Sequence, residues 1–220
     1  MADEKQARAE VLWNIMIADI DLSEHGSPLG VYVALEIIKR MYLNKLEPSV
    51  RGRMEKLIPA VLSSIEKRKG VPKREYIEIV ELARGIVFSD REAMEEFKKK
   101  METSKEAKDL NEIMMTNNRP LILMAIHLRM AMEHAYAGNG AGVVEEIENV
   151  GRLVQEVRAV SKDDRLALAN SFASLRDAVL GEMRLSVVLR SVVDFIMVID
   201  KIQTANRAQL DRIEQVDYII

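Results

Sequence analysis

Along most of the chain apolar residues return every third or fourth position, the period of a helix with one buried face. Over 2–22, Val11, Leu12, Ile15, Met16 and Ile20 keep that step and predict a first helix. The polar stretch 23–28 ends it, with Ser27 placed as an N-cap ahead of a first-turn Pro28. Val31, Leu35, Ile38, Met41 and Tyr42 carry a second helix to about Asn44. Pro48 opens a third, in which the interior Pro59 is expected to kink or break the rod. Gly70 and Pro72 mark the next stop and start, and Tyr76, Ile79, Val80 and Ala83 line a short fourth helix. Ser89-Asp90 with Glu92 starts a charged fifth helix, with an interruption expected near Thr103-Ser104. No alternating run bounded by hairpin turns suggests a strand.

The second half reads the same way. Asn117-Asn118-Arg119-Pro120 looks like a boundary, a cap ahead of a proline and the apolar run 121–126. That helix runs to Ala137, where Gly138 fits a left-handed cap. Another helix is predicted over 142–160, supported by a Glu148–Arg152 pair, and Ser161 fits a cap for the next. Leu168, Phe172, Leu175 and Val179 form one apolar line, and Leu185, Leu189, Val192, Ile196 and Ile199 step four, three, four, three as a heptad seam. The phase breaks between Val179 and Leu185, which predicts a bend near Gly181. The segment either folds back there or pairs with another copy. Twelve of 14 lysines lie at or before Lys108, whereas ten of 18 arginines follow. The expected fold is therefore all-α, a multi-helix bundle with two helical subdomains, 1–115 and 116–220, and a long C-terminal helical segment. Sustained heptads favour a homodimer.

Composition narrows the class. With 220 residues, 48% hydrophobic and 30% charged, the chain can bury a core and is not disordered. Cys 0 excludes disulfides, thiolate metal sites and cysteine nucleophiles. The opening MADEKQARAE has no secretory pattern, and no apolar run is long enough to span a bilayer. A cytoplasmic location is the default, with no membrane partner. A net charge of -3 selects no partner class by itself.

Charge is uneven, however. Residues 39–75 hold eleven cations against four acids, a local +7 on a chain whose remainder sums to -10. Arg51, Arg53, Lys56, Lys67, Arg68 and Lys69 could meet a phosphate backbone, because neutralised phosphates release counterions. RNA or DNA is thus one candidate partner. Tyr42 and Tyr76 are too sparse for a base-stacking platform. A solvated helix face accounts for the same pattern.

Arg129-Met130-Ala131-Met132-Glu133-His134-Ala135-Tyr136 carries a different signal. Arg-x4-His-x-Tyr resembles the signature of the HEPN family, all-helical domains that include metal-independent endoribonucleases and toxin components. Met130 stands where that family usually has Asn, Asp or His. The resemblance implies catalytic roles for Arg129 and His134, with Tyr136 beside them, and two subunits pairing their motifs in one cleft. A histidine can shuttle protons at a 2′-hydroxyl and a leaving oxygen, while an arginine stabilises charge on phosphoryl oxygens. Residues five apart on a helix lie about 140° apart, so Arg129 and His134 need a second subunit or a break to converge. The ordinary alternative is an Arg129–Glu133 pair with His134 at an interface.

No metal and no cofactor is expected. His127 and His134 share a helical face, but no carboxylate nearby in sequence completes a ligand set. Asp19, Asp21, Glu24 and His25 cluster without the spacing of a calcium loop and read as a helix-end turn. Arg190 and Asp194 are expected to pair facing a partner helix. Phosphate-cradling loops and the common hydrolase and zinc-peptidase motifs are missing. The leading expectation is a helical interaction or assembly protein that self-associates. A HEPN-like ribonuclease and a nucleic-acid-binding protein are its rivals.

Overall fold

The computed structural model of the chain describes residues 2–157, 160–181 and 184–217, with side chains described for 4–102, 119–157, 160–181 and 184–204. It is 90% helical, with no strand among the described residues. The chain divides into two compact units, Met1–Lys108 and Asp109–Ile220.

In the first unit α1 (Ala2–His25) buries Ala7, Val11, Leu12, Ile15 and Ala18, while Ile20 faces outward. It packs against α2 (Leu29–Ile37) and α4 (Lys73–Phe88). The turn between α1 and α2 disposes of the acidic cluster. Asp19 accepts a hydrogen bond from the Tyr76 hydroxyl at 2.7 Å, and Asp21 lies against Gly30 in the first turn of α2. Acids suit that end of a helix, where unpaired N–H groups point outward. Burial, then the hydrogen bond and charge of Asp19, push the Tyr76 phenol well above its ordinary range.

After α2 the chain passes through a π turn, Ile38–Tyr42, and a 3-10 turn, Leu43–Lys45. The extra residue in a π turn rotates the apolar face out of register. That is why Met41, expected inside, is exposed and Leu43 is buried instead. α3 (Pro48–Glu66) starts on its proline as expected and buries Met54, Ile58, Val61, Leu62 and Ile65. Pro59 does not break it. The ring lies on the exposed side, where the backbone carbonyl left without its donor can reach water. Arg8 ties the unit together: it bonds Glu4 at 2.8 Å, Asp90 at 2.9 Å and also Glu47. Burial alone would pull its pKa down, but Glu4, Glu47 and Asp90 outweigh it and raise it. Asp90 also caps α5 (Arg91–Ala137), accepting from the N–H groups of Glu92 and Ala93.

α5 corrects two expectations. Its backbone is helical through Thr103-Ser104, whose side chains lie outside the described residues, and through Asn117-Asn118-Arg119-Pro120. An Asn cap and a proline are local preferences worth about 1 and 3 kcal/mol, and packing of the flanking turns can override them.

In the second unit the last turns of α5 bury Leu121, Met124, Leu128, Ala131, Met132 and Ala135. Gly138, at φ 78°, permits the tight exit, and α6 (Gly140–Glu156) turns back. Val143, Ile147, Val150 and Leu153 line its buried face. Arg152 bonds Asn149 and not Glu148, against expectation. α6 packs on α7 (Lys162–Gly181) so closely that the Phe172 ring occupies the place a Cβ on Gly151 would take. Ser161 caps α7 through the Asp164 N–H at 3.0 Å. α7 ends at Gly181 and packs against α8 (Leu185–Asp217), so the segment folds back on itself. Leu189, Val192 and Ile199 of the heptad seam are buried within this chain, with Val188, Val193, Phe195 and Ile202. Arg190 and Asp194 are exposed.

No helix among the described residues is long and apolar enough to cross a membrane.

Candidate functional site

The sharp turn at Gly138 sets the last part of α5 against α6, so residues at similar distances from the turn meet across the pair. Three polar side chains meet there. Glu146 of α6 is 6% exposed, one of two buried charged residues among those described. A carboxylate so far from water needs partners. His127 supplies one: its Nδ1 lies 2.6 Å from Glu146 Oε2. His134, two helical turns on, brings Nε2 to 3.9 Å from Oε1, an ion-pair approach rather than a hydrogen bond.

A fourth residue fixes the second imidazole. Asn139 is the N-cap of α6, its Oδ1 accepting from the Gly142 N–H at 3.1 Å. Its amide nitrogen therefore donates to His134 Nδ1, 3.1 Å away. Gly142 is glycine for a steric reason, since a Cβ there would fall 2.6 Å from His134 Cγ. The hydrogen bonds assign opposite tautomers to the neutral rings. His134 accepts at Nδ1 and carries its proton on Nε2, whereas His127 carries its proton on Nδ1.

The Arg-x4-His-x-Tyr residues do not share one face of this chain. α5 is continuous through the motif, so Arg129 and His134 leave it about 140° apart. Arg129 pairs with Glu133 at 3.2 Å, and His134 is held by α6. Tyr136 is half-buried, the last residue but one of α5. Sequence reasoning found His134 but missed Glu146, Asn139 and Gly142, and took His127 only as half of a metal pair. The usable signal was register: a two-residue turn at Gly138-Asn139 brings Gly142 to the level of His134. The carboxylate missing beside the two histidines arrives from the neighbouring helix. Even so, no group of three or more His, Cys, Asp or Glu that could hold a metal ion occurs among the described residues.

The basic segment is partly neutralised. Arg53 bonds Glu78 at 2.7 Å, and Arg51 lies 3.8 Å from Glu55. Lys56 is exposed on α3. Lys67, Arg68 and Lys69 are exposed where α3 ends, with Arg68 at φ 56° and Gly70 at φ 74°. Cations there complement the carbonyl end of the helix dipole, which gives them a structural reason to be present.

Compared with known proteins, the chain matches no family model, no curated protein and no solved structure.

Proposed function

We propose that the chain is a helical interaction protein that self-associates. One observation carries this reading. On α5 of the second unit Ile126 and Met130 are 49% and 41% exposed, one helical turn apart. Their neighbours Arg129 and Glu133 bear opposite charges. A strip with this order is self-complementary: a second copy laid antiparallel sets each Arg129 beside the other copy's Glu133. Isologous contacts of this kind are the commonest in oligomers. The α8 seam, buried within the chain, is not needed for the contact.

Light scattering after size exclusion tests the reading. The expected mass is twice the 25.0 kDa of one chain, returning to one on Met130→Glu. A parent that stays at one chain mass at all accessible concentrations removes the proposal.

A second reading, a HEPN-like metal-independent endoribonuclease using Arg129, His134 and Tyr136, is favoured by the fixed orientation of the His134 ring. Self-association through α5 would also bring the two copies of Arg129 near each other. Cleavage of RNA in the presence of a chelator, abolished by His134→Ala, is its expected result. Absent cleavage, or cleavage that survives the change, excludes it.

A further inference from the structure

Glu146 serves two imidazoles, and it serves them differently. His134 offers no open lone pair: Nδ1 accepts from Asn139, and Nε2 carries the ring proton, 3.9 Å from the carboxylate. His127 has only Nδ1 occupied. Its Nε2 has no partner among the described residues, and none of their buried side-chain nitrogens lacks one, so this atom reaches solvent. The open lone pair of the cluster therefore belongs to His127, not to the histidine of the Arg-x4-His-x-Tyr motif.

A ring anchored through Nδ1–H on a buried carboxylate has a fixed direction and tautomer, and any positive charge it gains is stabilised by its anchor. These are the properties of an oriented nitrogen nucleophile. The polar depression in this unit is lined by Pro120, Arg152, Gln155 and Glu156. Pro120 lies seven residues from His127, about 10 Å along the axis. The nucleophile thus stands two turns along the same side of α5, outside that depression. Such a group suits a reagent that carries its own reactive bond to the surface.

We propose that His127 is a phosphoryl-acceptor site, held by Glu146 and charged by donors of the phosphoramidate or acyl-phosphate class. With phosphoramidate, His127 Nε2 attacks phosphorus and the Nε2–P bond forms. The donor P–N bond breaks, its electron pair leaving with the nitrogen as ammonia. Nδ1 keeps its proton, and Glu146 balances the charge on the ring. His134, whose Nδ1 lone pair is taken by Asn139 and whose Nε2 bears the proton, does not compete.

The test incubates the full chain with phosphoramidate and maps the product by peptide mass spectrometry. The expected result is a phosphoryl group on His127, formed faster than on the exposed but unanchored His25, base-stable and acid-labile as an N–P bond requires, with His134 unlabelled. His127→Gln abolishes it, His134→Gln leaves it, and Glu146→Gln slows it about tenfold, the usual cost of removing an orienting partner. Site mapping on the parent needs no variant to fold. No labelling, or equal labelling of the three histidines, overturns the proposal.

Discussion

Replacing Gly142 by alanine isolates the packing of the α5–α6 site from ordinary helix propensity. The new Cβ would fall 2.6 Å from His134 Cγ and 2.7 Å from His134 Nδ1 and Asn139 Nδ2. Comfortable contacts lie near 3.5–4.0 Å, so about 1 Å of overlap must be relieved. The ring cannot swing freely, because Asn139 and Glu146 hold it on either side. Overpacking of this kind costs about 1–3 kcal/mol, and displacing the Asn139 cap adds about 1. Alanine returns about 1 kcal/mol through propensity. The net expectation is a loss of about 1–3 kcal/mol. Gly52 is the control, a helix glycine with nothing within 4 Å of its added Cβ. There alanine should stabilise by about 0.5–1 kcal/mol. Urea denaturation followed by far-UV circular dichroism reads both. A Gly142→Ala protein as stable as its parent would refute the close approach of His134.

Other perturbations test the first unit and its chemistry. Arg8→Met leaves Glu4, Glu47 and Asp90 without their shared cation. The Arg8 side chain is largely covered but its three carboxylates are partly open to water, so the expected loss is about 1–2 kcal/mol by denaturant titration, and a change within error would contradict the hub. Tyr76 gives a pH signature. Its folded pKa is raised, so its contribution is complete below the unfolded value near 10 and is lost as pH rises beyond it, at about 1.4 kcal/mol per unit. Tyr76→Phe should remove that slope from the stability profile, and profiles that stay parallel above pH 10 would show the phenol to be unburied. Pro59→Ala should stabilise α3 by more than a surface substitution usually does, because helix continuity there comes at the expense of one backbone bond. A melting temperature that falls would mean the ring makes a contact of its own.

Helical periodicity alone carried the fold class, since rods with one apolar face leave few alternatives. Local polar signals were equally legible. Asp90 and Ser161 each cap a helix through a side-chain oxygen, and Gly138 takes the left-handed turn. Stop signals were less legible. Asn117-Pro120 has every local mark of a boundary, yet α5 continues, because a proline removes one bond while flanking turns retain theirs. The π turn after Ile37 was invisible for a related reason: one inserted residue leaves composition unchanged and only moves Met41 outward. The α8 heptads fitted an intermolecular seam and an internal one equally well, and the choice depended on the fold-back near Gly181. Glu146 shows the same limit for the site. Nothing in Val144-Glu145-Glu146 says which glutamate faces His127 until the register of two helices is known.

Ring 15N NMR of the three histidines tests most directly the network on which the site depends. In the neutral rings His127 should carry its proton on Nδ1 and His134 on Nε2, with Glu146→Gln shifting the His127 resonances most. Finding both rings in the Nε2–H form, the usual preference of free imidazole side chains, would mean that Glu146 does not hold His127.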